Sequence, residues 1–138
     1  MKQKATQSPD PLEVYFKERF RKKNLGVLEG ANLTADDRTC RGGRDHIFFY
    51  LRIKEEKIED ISFECGGCDM AMFVAGDILC DLVRNKRLDE IENISEKEFI
   101  KALGGKSKEG LKHFKMAMKV LNDGIKGYPN HIDNGMCL

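Results

Sequence analysis

The stretch that decides the fold is Phe63–Val83, FECGGCDMAMFVAGDILCDLV. It reads as a strand ending in Cys65-Gly66-Gly67-Cys68 and turning at once into a long helix of small and apolar side chains. Two glycines between the thiols permit a tight reversal, and a helix beginning at Cys68 aims its unpaired amides at that sulfur. Such amides favour thiolate over thiol, which marks Cys68 as a candidate nucleophile or metal ligand. The plainer alternative is a pair of ordinary buried cysteines, because an unpaired Cys commonly serves as a small core residue.

Working outward, the segment before this junction alternates. From His46, the residues Ile47, Phe49, Leu51 and Ile53 fall on one side and His46, Phe48, Tyr50 and Arg52 on the other. After a turn at Glu55-Glu56, Lys57–Cys65 continues as a second strand, with Ile61, Phe63 and Cys65 on its core side. The short connection predicts an antiparallel hairpin. A short strand is expected around Ala31 to Thr34, and residues 36–45 read as a glycine-containing loop.

Helices occupy the remainder. Asp10-Pro11 begins one expected to run to Lys23, with Leu12, Tyr15, Phe16 and Phe20 at helical spacing and a charged, solvated outer face that could alternatively dock a partner. The junction helix should extend from Cys68 to about Asn85, burying Met72, Ala75, Gly76, Leu79, Leu82 and Val83. Cys80 lies about 18 Å along the axis from Cys68 and about 120° round it, so it belongs to the core and shares no metal with Cys68. Ser95-Glu96-Lys97-Glu98 is a capping box opening a short helix that stops at Gly104-Gly105. A last helix over Ser107 to Lys126 carries the stripe Leu111, Phe114, Met118, Leu121 and Ile125, with His113 at its edge. The fold class is therefore α+β, a small antiparallel sheet of about three strands packed against several helices. One domain over residues 1–138 is expected, with 1–9 and 127–138 flexible.

Composition narrows the function. The 24 Lys and Arg nearly balance 23 Asp and Glu, which gives no basic field for nucleic acid. No apolar run is long enough to span a membrane and the N-terminal residues lack the apolar core of an export signal, so a cytoplasmic protein is expected. Five cysteines, an odd number at irregular spacing, then argue for reduced thiols used in metal or redox chemistry rather than a disulfide framework.

The hairpin GRDHIFFYLRI followed by KIEDISFECGGCDMAM, the small-residue helix after Cys68, the Leu88-Asp89-Glu90-Ile91 segment after Lys86-Arg87, and the N-terminal FRKKNLG together resemble the U-type iron-sulfur cluster scaffolds, which include the NifU N-terminal domain. The resemblance covers residues 11 to 126. It implies a SufE/NifU-like fold and a scaffold, not an enzyme, that binds iron or a labile iron-sulfur cluster. It also implies a cysteine desulfurase as sulfur donor and iron-sulfur acceptor proteins as partners. The family pattern has Cys-Gly-Asp before the first long strand, Gly-Cys at the strand-to-helix junction, and His-Cys at the start of the last helix. Asp45 matches the Asp, Gly67-Cys68 the Gly-Cys, and His113 the His.

Two positions depart from that pattern. Gly43 and Arg44 fill the Cys-Gly slots, with Cys40 three residues upstream of the vacant position, and Phe114 stands where the third cysteine would be, with Cys137 as a distant substitute. The ligand set the resemblance implies is Cys40, Asp45, Cys68 and His113. Two sulfurs, one oxygen and one nitrogen suit tetrahedral zinc as well as a labile cluster. Three readings stay open: an assembly scaffold, a zinc-binding or desulfurase-docking adaptor of the same fold, and a Cys65–Cys68 dithiol redox protein.

Overall fold

The computed structural model describes residues 10–20, 22–36 and 46–128. The expected loop with Cys40 and Asp45, the tail with Cys137, and nearly all of the two flexible end segments lie outside these residues. The elements run α1 (Pro11–Glu18), β1 (Leu33–Asp36), β2 (His46–Lys54), β3 (Lys57–Gly66), α2 (Met70–Val83), a 3₁₀ helix (Leu88–Asn93), α3 (Glu96–Leu103) and α4 (Lys108–Lys126).

The three strands form one antiparallel sheet in the order β1-β2-β3. In the hairpin Phe49 faces Phe63 and Leu51 faces Ile61, so period-2 alternation sends Ile47, Phe49, Leu51 and Ile53 into the core together with their cross-strand partners. The reversal at Glu55-Glu56 places both residues at positive φ, 54° and 64°. This backbone matches the right-handed twist of the strands and is normally given to Asn-Gly. On the opposite face His46, Phe48 and Tyr50 stack edge to face in sequence, and the Tyr50 hydroxyl donates to Glu64 Oε1 at 2.5 Å. Burial, then the bond to Glu64 and its charge, push the Tyr50 phenol up to about 12.

Helices α2 and α4 cover the core face of the sheet. Helix α2 is buried on nearly every side: Ala71, Met72, Val74, Ala75, Gly76, Ile78, Leu79, Cys80 and Val83 are all inside, while Leu82 is only half-buried. Burial keeps the Cys80 thiol well above its ordinary pKa, as expected of a core residue. The ring of Phe63 sits against Gly76, where a Cβ would lie 2.7 Å from ring carbon Cε2, so only glycine allows this approach.

The buried stripe of α4 is rotated from the expected one. Gly110, His113, Phe114, Ala117, Val120 and Leu121 face inward, whereas Leu111, Met118 and Ile125 are half-buried at the margin. Small residues decide this. A Cβ on Gly124 would stand 2.8 Å from Ala35 Cα, so α4 lies directly on β1. A reading weighted by the largest apolar side chains misplaces such a stripe, because close packing favours the faces without them.

Helix α1 ends at Glu18, five residues short of expectation, and Lys22 has a φ of 63°. The following segment leaves the helix to pair with the edge of β3, where Gly26 N donates to Phe63 O at 2.8 Å and Phe63 N to Asn24 O at 2.8 Å. Phe16, expected inward, is exposed and stacks on Phe20. The charged outer face is partly committed. Arg19 donates to Leu103 O at 2.7 Å and lies over the Tyr15 ring, and Lys23 pairs with Asp81 at 3.1 Å.

Beneath this segment runs a buried polar network. Tyr15 donates to Asp77 Oδ2 at 2.6 Å, Asn24 Nδ2 to Asp77 Oδ1 at 2.8 Å, and Arg84 to Asn24 Oδ1 at 2.6 Å. Each group buried here thus has a partner, as desolvation of Asp77 demands. The expected strand near Ala31 appears two residues later, at Leu33–Asp36. The capping box and glycine stop of α3 are present as read, with Gly104 at a φ of 98°.

Candidate functional site

The site is built at the turn from β3 into α2. Gly67, at a φ of 69°, reverses the chain, and the Cα atoms of Cys65 and Cys68 come to 5.8 Å. That separation lies within the range of a disulfide, and the two sulfurs are joined. This corrects one expectation: the thiols are not all reduced. Cys65 keeps the core side of β3, opposite Ile47 and packed against the core, but is only half-buried at the end of the sheet.

Cys68 is also not the first residue of the helix. Asp69 is the N-cap, and its Oδ1 accepts from Met72 N at 3.2 Å. The amide expected to act on the sulfur is therefore engaged by a carboxylate, and Cys68 sits one residue outside the helix. An activated thiolate at Cys68 requires first the reduction of the disulfide and then help from groups beyond the helix terminus.

His113, in the second turn of α4, is 4 % exposed, not the boundary residue its spacing suggested. Its Nδ1 lies 2.9 Å from Glu109 O, and since a carbonyl only accepts, Nδ1 carries a proton and donates it. Nε2 lies 3.7 Å from Asp69 Oδ1. Helix α4 thus brings the imidazole against the residue next to Cys68. Glu109 Oε2 is 3.5 Å from Nδ1, and one ligand atom each of Asp69, Glu109 and His113 lie within 4.8 Å of one another. Asp69 and Glu109 were not singled out from the sequence. The available signal was Glu109-x-x-x-His113, which puts both side chains on one face of a helix.

Phe114, in the slot where the resemblance puts a third cysteine, is 2 % exposed and stacks on Phe99 with ring centroids 4.6 Å apart. Of the four expected ligands, Cys68 and His113 are on adjoining elements, and Cys40 and Asp45 lie outside the described residues. Among the described residues no helix is long and apolar enough to cross a membrane.

Comparison with known proteins agrees with this architecture. A model of the family described as NifU-like N terminal domain matches residues 14–134. Two Archaeoglobus fulgidus proteins, iron-sulfur cluster assembly scaffold proteins IscU 1 and IscU 2, are each 27 % identical over 108 residues, spanning 77 % of this chain and 68 % of theirs. Among solved structures, a putative iron-sulfur cluster assembly scaffold protein for the SUF system from Fervidobacterium islandicum superposes with a TM-score of 0.61 at 18 % identity, over 86 % of this chain and 96 % of that one. A nitrogen-fixing NifU-like protein (N-terminal) from Brucella abortus gives 0.60 at 12 % identity, over 90 % and 95 %. At these identities the two structures speak for the fold alone.

Proposed function

Since the chain belongs to the family of NifU-like N-terminal domains, we propose that it is an iron-sulfur cluster assembly scaffold. In this reading it accepts sulfur from a cysteine desulfurase, binds iron or a labile cluster as cargo, and passes it to acceptor proteins. The observation that carries it is the family match over 14–134 combined with Cys68 at the strand-to-helix junction, one residue from the carboxylate that His113 Nε2 approaches.

The chemistry begins with the disulfide. A dithiol reductant supplies two electrons and two protons, breaking the Cys65–Cys68 bond and becoming a disulfide itself. Deprotonated Cys68 then attacks the outer sulfur of the donor's persulfide; a new S–S bond forms on Cys68 and the donor cysteine leaves as thiolate. Iron binds to Cys68 with His113, Cys40 and Asp45 completing the set. A carboxylate and an imidazole hold iron less firmly than thiolates do, which suits cargo that must leave.

A second reading, a zinc-binding or desulfurase-docking adaptor, is favoured by one observation: the slot of the third cysteine is filled by Phe114, whose ring is in the core. Anaerobic incubation of reduced protein with iron, cysteine and a desulfurase separates the two. The scaffold gains visible absorption that transfers to an acceptor apoprotein, and Cys68→Ala abolishes it. Stoichiometric zinc without colour, or colour that survives Cys68→Ala, rejects the scaffold reading.

A further inference from the structure

We infer that Asp69, Glu109 and His113 form a thiol-independent site for one first-row divalent cation at the contact of α2 with α4. The proposal goes beyond the cluster reading. It shares His113 with that reading but uses none of its sulfurs.

Three features carry it. First, the donors come from two packed elements: Asp69 caps α2, while Glu109 and His113 stand four apart on α4. Second, the imidazole is already set as a ligand. It is buried, and the Nδ1 bond to Glu109 O orients the ring with Nε2 toward Asp69, the kind of outer hydrogen bond by which ligand histidines are commonly held. Third, the spacing fits. Two donors on a tetrahedral ion with bonds of about 2.1 Å stand about 3.4 Å apart. Asp69 Oδ1 and His113 Nε2 are at 3.7 Å, and one potential ligand atom from each of the three residues lies within 4.8 Å of the others. The side chain of Glu109 is 56 % exposed, so its carboxylate can rotate inward without disturbing the core, while Asp69, 60 % exposed, already faces Nε2 with the oxygen that caps α2.

Chemistry selects the ion. One nitrogen and two carboxylate oxygens form a set of intermediate hardness suited to iron(II), cobalt(II), manganese(II) or zinc, and unsuited to cuprous ion. Three protein ligands leave the remaining positions to water. Because Cys65 and Cys68 are joined to each other, this set persists in the oxidised protein, where Cys68 offers no thiolate. The protein would thus hold a single ion before reduction opens the sulfur site.

The test uses oxidised full-length protein whose accessible thiols are capped with iodoacetamide, titrated with cobalt(II) and followed by calorimetry and visible absorption. One cobalt per chain is expected, with ligand-field bands and no thiolate-to-cobalt charge-transfer band. Asp69→Asn, which retains a helix-capping side chain, and Glu109→Gln should each weaken binding tenfold or more with unchanged circular dichroism. No binding, a charge-transfer band, or affinities unmoved in both variants overturns the proposal. Failure of reduced protein to build a cluster would reject the assembly reading and leave this result standing.

Discussion

At the scale of single residues, the buried network around Asp77 shows how one carboxylate fixes a chain segment. Asp77 is 1 % exposed and takes a hydrogen bond from Tyr15 and another from Asn24. Tyr15→Phe removes one donor and leaves a buried oxygen short of a partner, a loss of about 1–3 kcal/mol in urea unfolding. An unchanged midpoint would mean that water replaces the hydroxyl. Cys80, Phe63 and Phe49 were legible as core residues because apolar periodicity reports burial directly. His113 was not. Its ring is satisfied by a carbonyl four residues back, a bond that spacing of apolar residues does not encode. Asp69 was hidden for a related reason: a cap is recognised only once the helix start is known, and the glycine pair pointed to Cys68.

Among the elements, the hairpin was read correctly because alternation, turn and register all agree. Its turn is also its weakest feature. Glu55 and Glu56 both hold positive φ, costing about 1–2 kcal/mol each relative to glycine. The double exchange Glu55→Asn with Glu56→Gly should therefore raise stability by about 0.5–2 kcal/mol, visible as a higher thermal midpoint. Helix α4 makes the opposite case. Gly124→Ala would gain up to about 1 kcal/mol of helix propensity in solvent. Against Ala35 it meets backbone, and overpacking of about 1–3 kcal/mol wins. Net destabilisation in chemical denaturation is the expected sign; net stabilisation would place α4 further from β1. The end of α1 was displaced in the sequence reading because it depends on the edge pairing of Asn24 and Gly26 with Phe63, and the strand near residue 31 because its bounds follow from its register with β2, Leu33 opposite Leu51; both are contacts between residues far apart in the chain.

For the whole molecule, stability should be bounded at both ends of the pH scale. Burial pushes the Asp81 carboxyl upward, but hydrogen bonds from Lys23, Asn24 and Arg84, with the charge of Lys23, more than offset this and hold it below its usual range. A depressed folded pKa contributes stability above the unfolded value of about 3.9, lost as pH falls through the folded one. Asp81→Asn should flatten the acid limb of a pH titration of unfolding. At the other end, Cys80, Tyr15 and Tyr50 are all raised. Burial is the largest cause in each. Raised folded pKa values give stability that is complete below the unfolded values, so it declines from about pH 8.5 for the thiol and from about pH 10 for the phenols. A flat profile from pH 8 to 11 would contradict the burial of these three groups.

The packing of Phe114 on Phe99 bears on what it would take to place a further thiol in this part of the chain. Exchanging Phe114 for cysteine does not simply add a donor; it empties the space of a ring between two helices, at a cost of about 3 kcal/mol or more. The new sulfur would line that void. A stable cysteine at this position therefore demands a compensating change at Phe99, and the two exchanges should be strongly non-additive. The aromatic pair thus acts as a latch: neither ring can be exchanged alone without opening the space between the two helices.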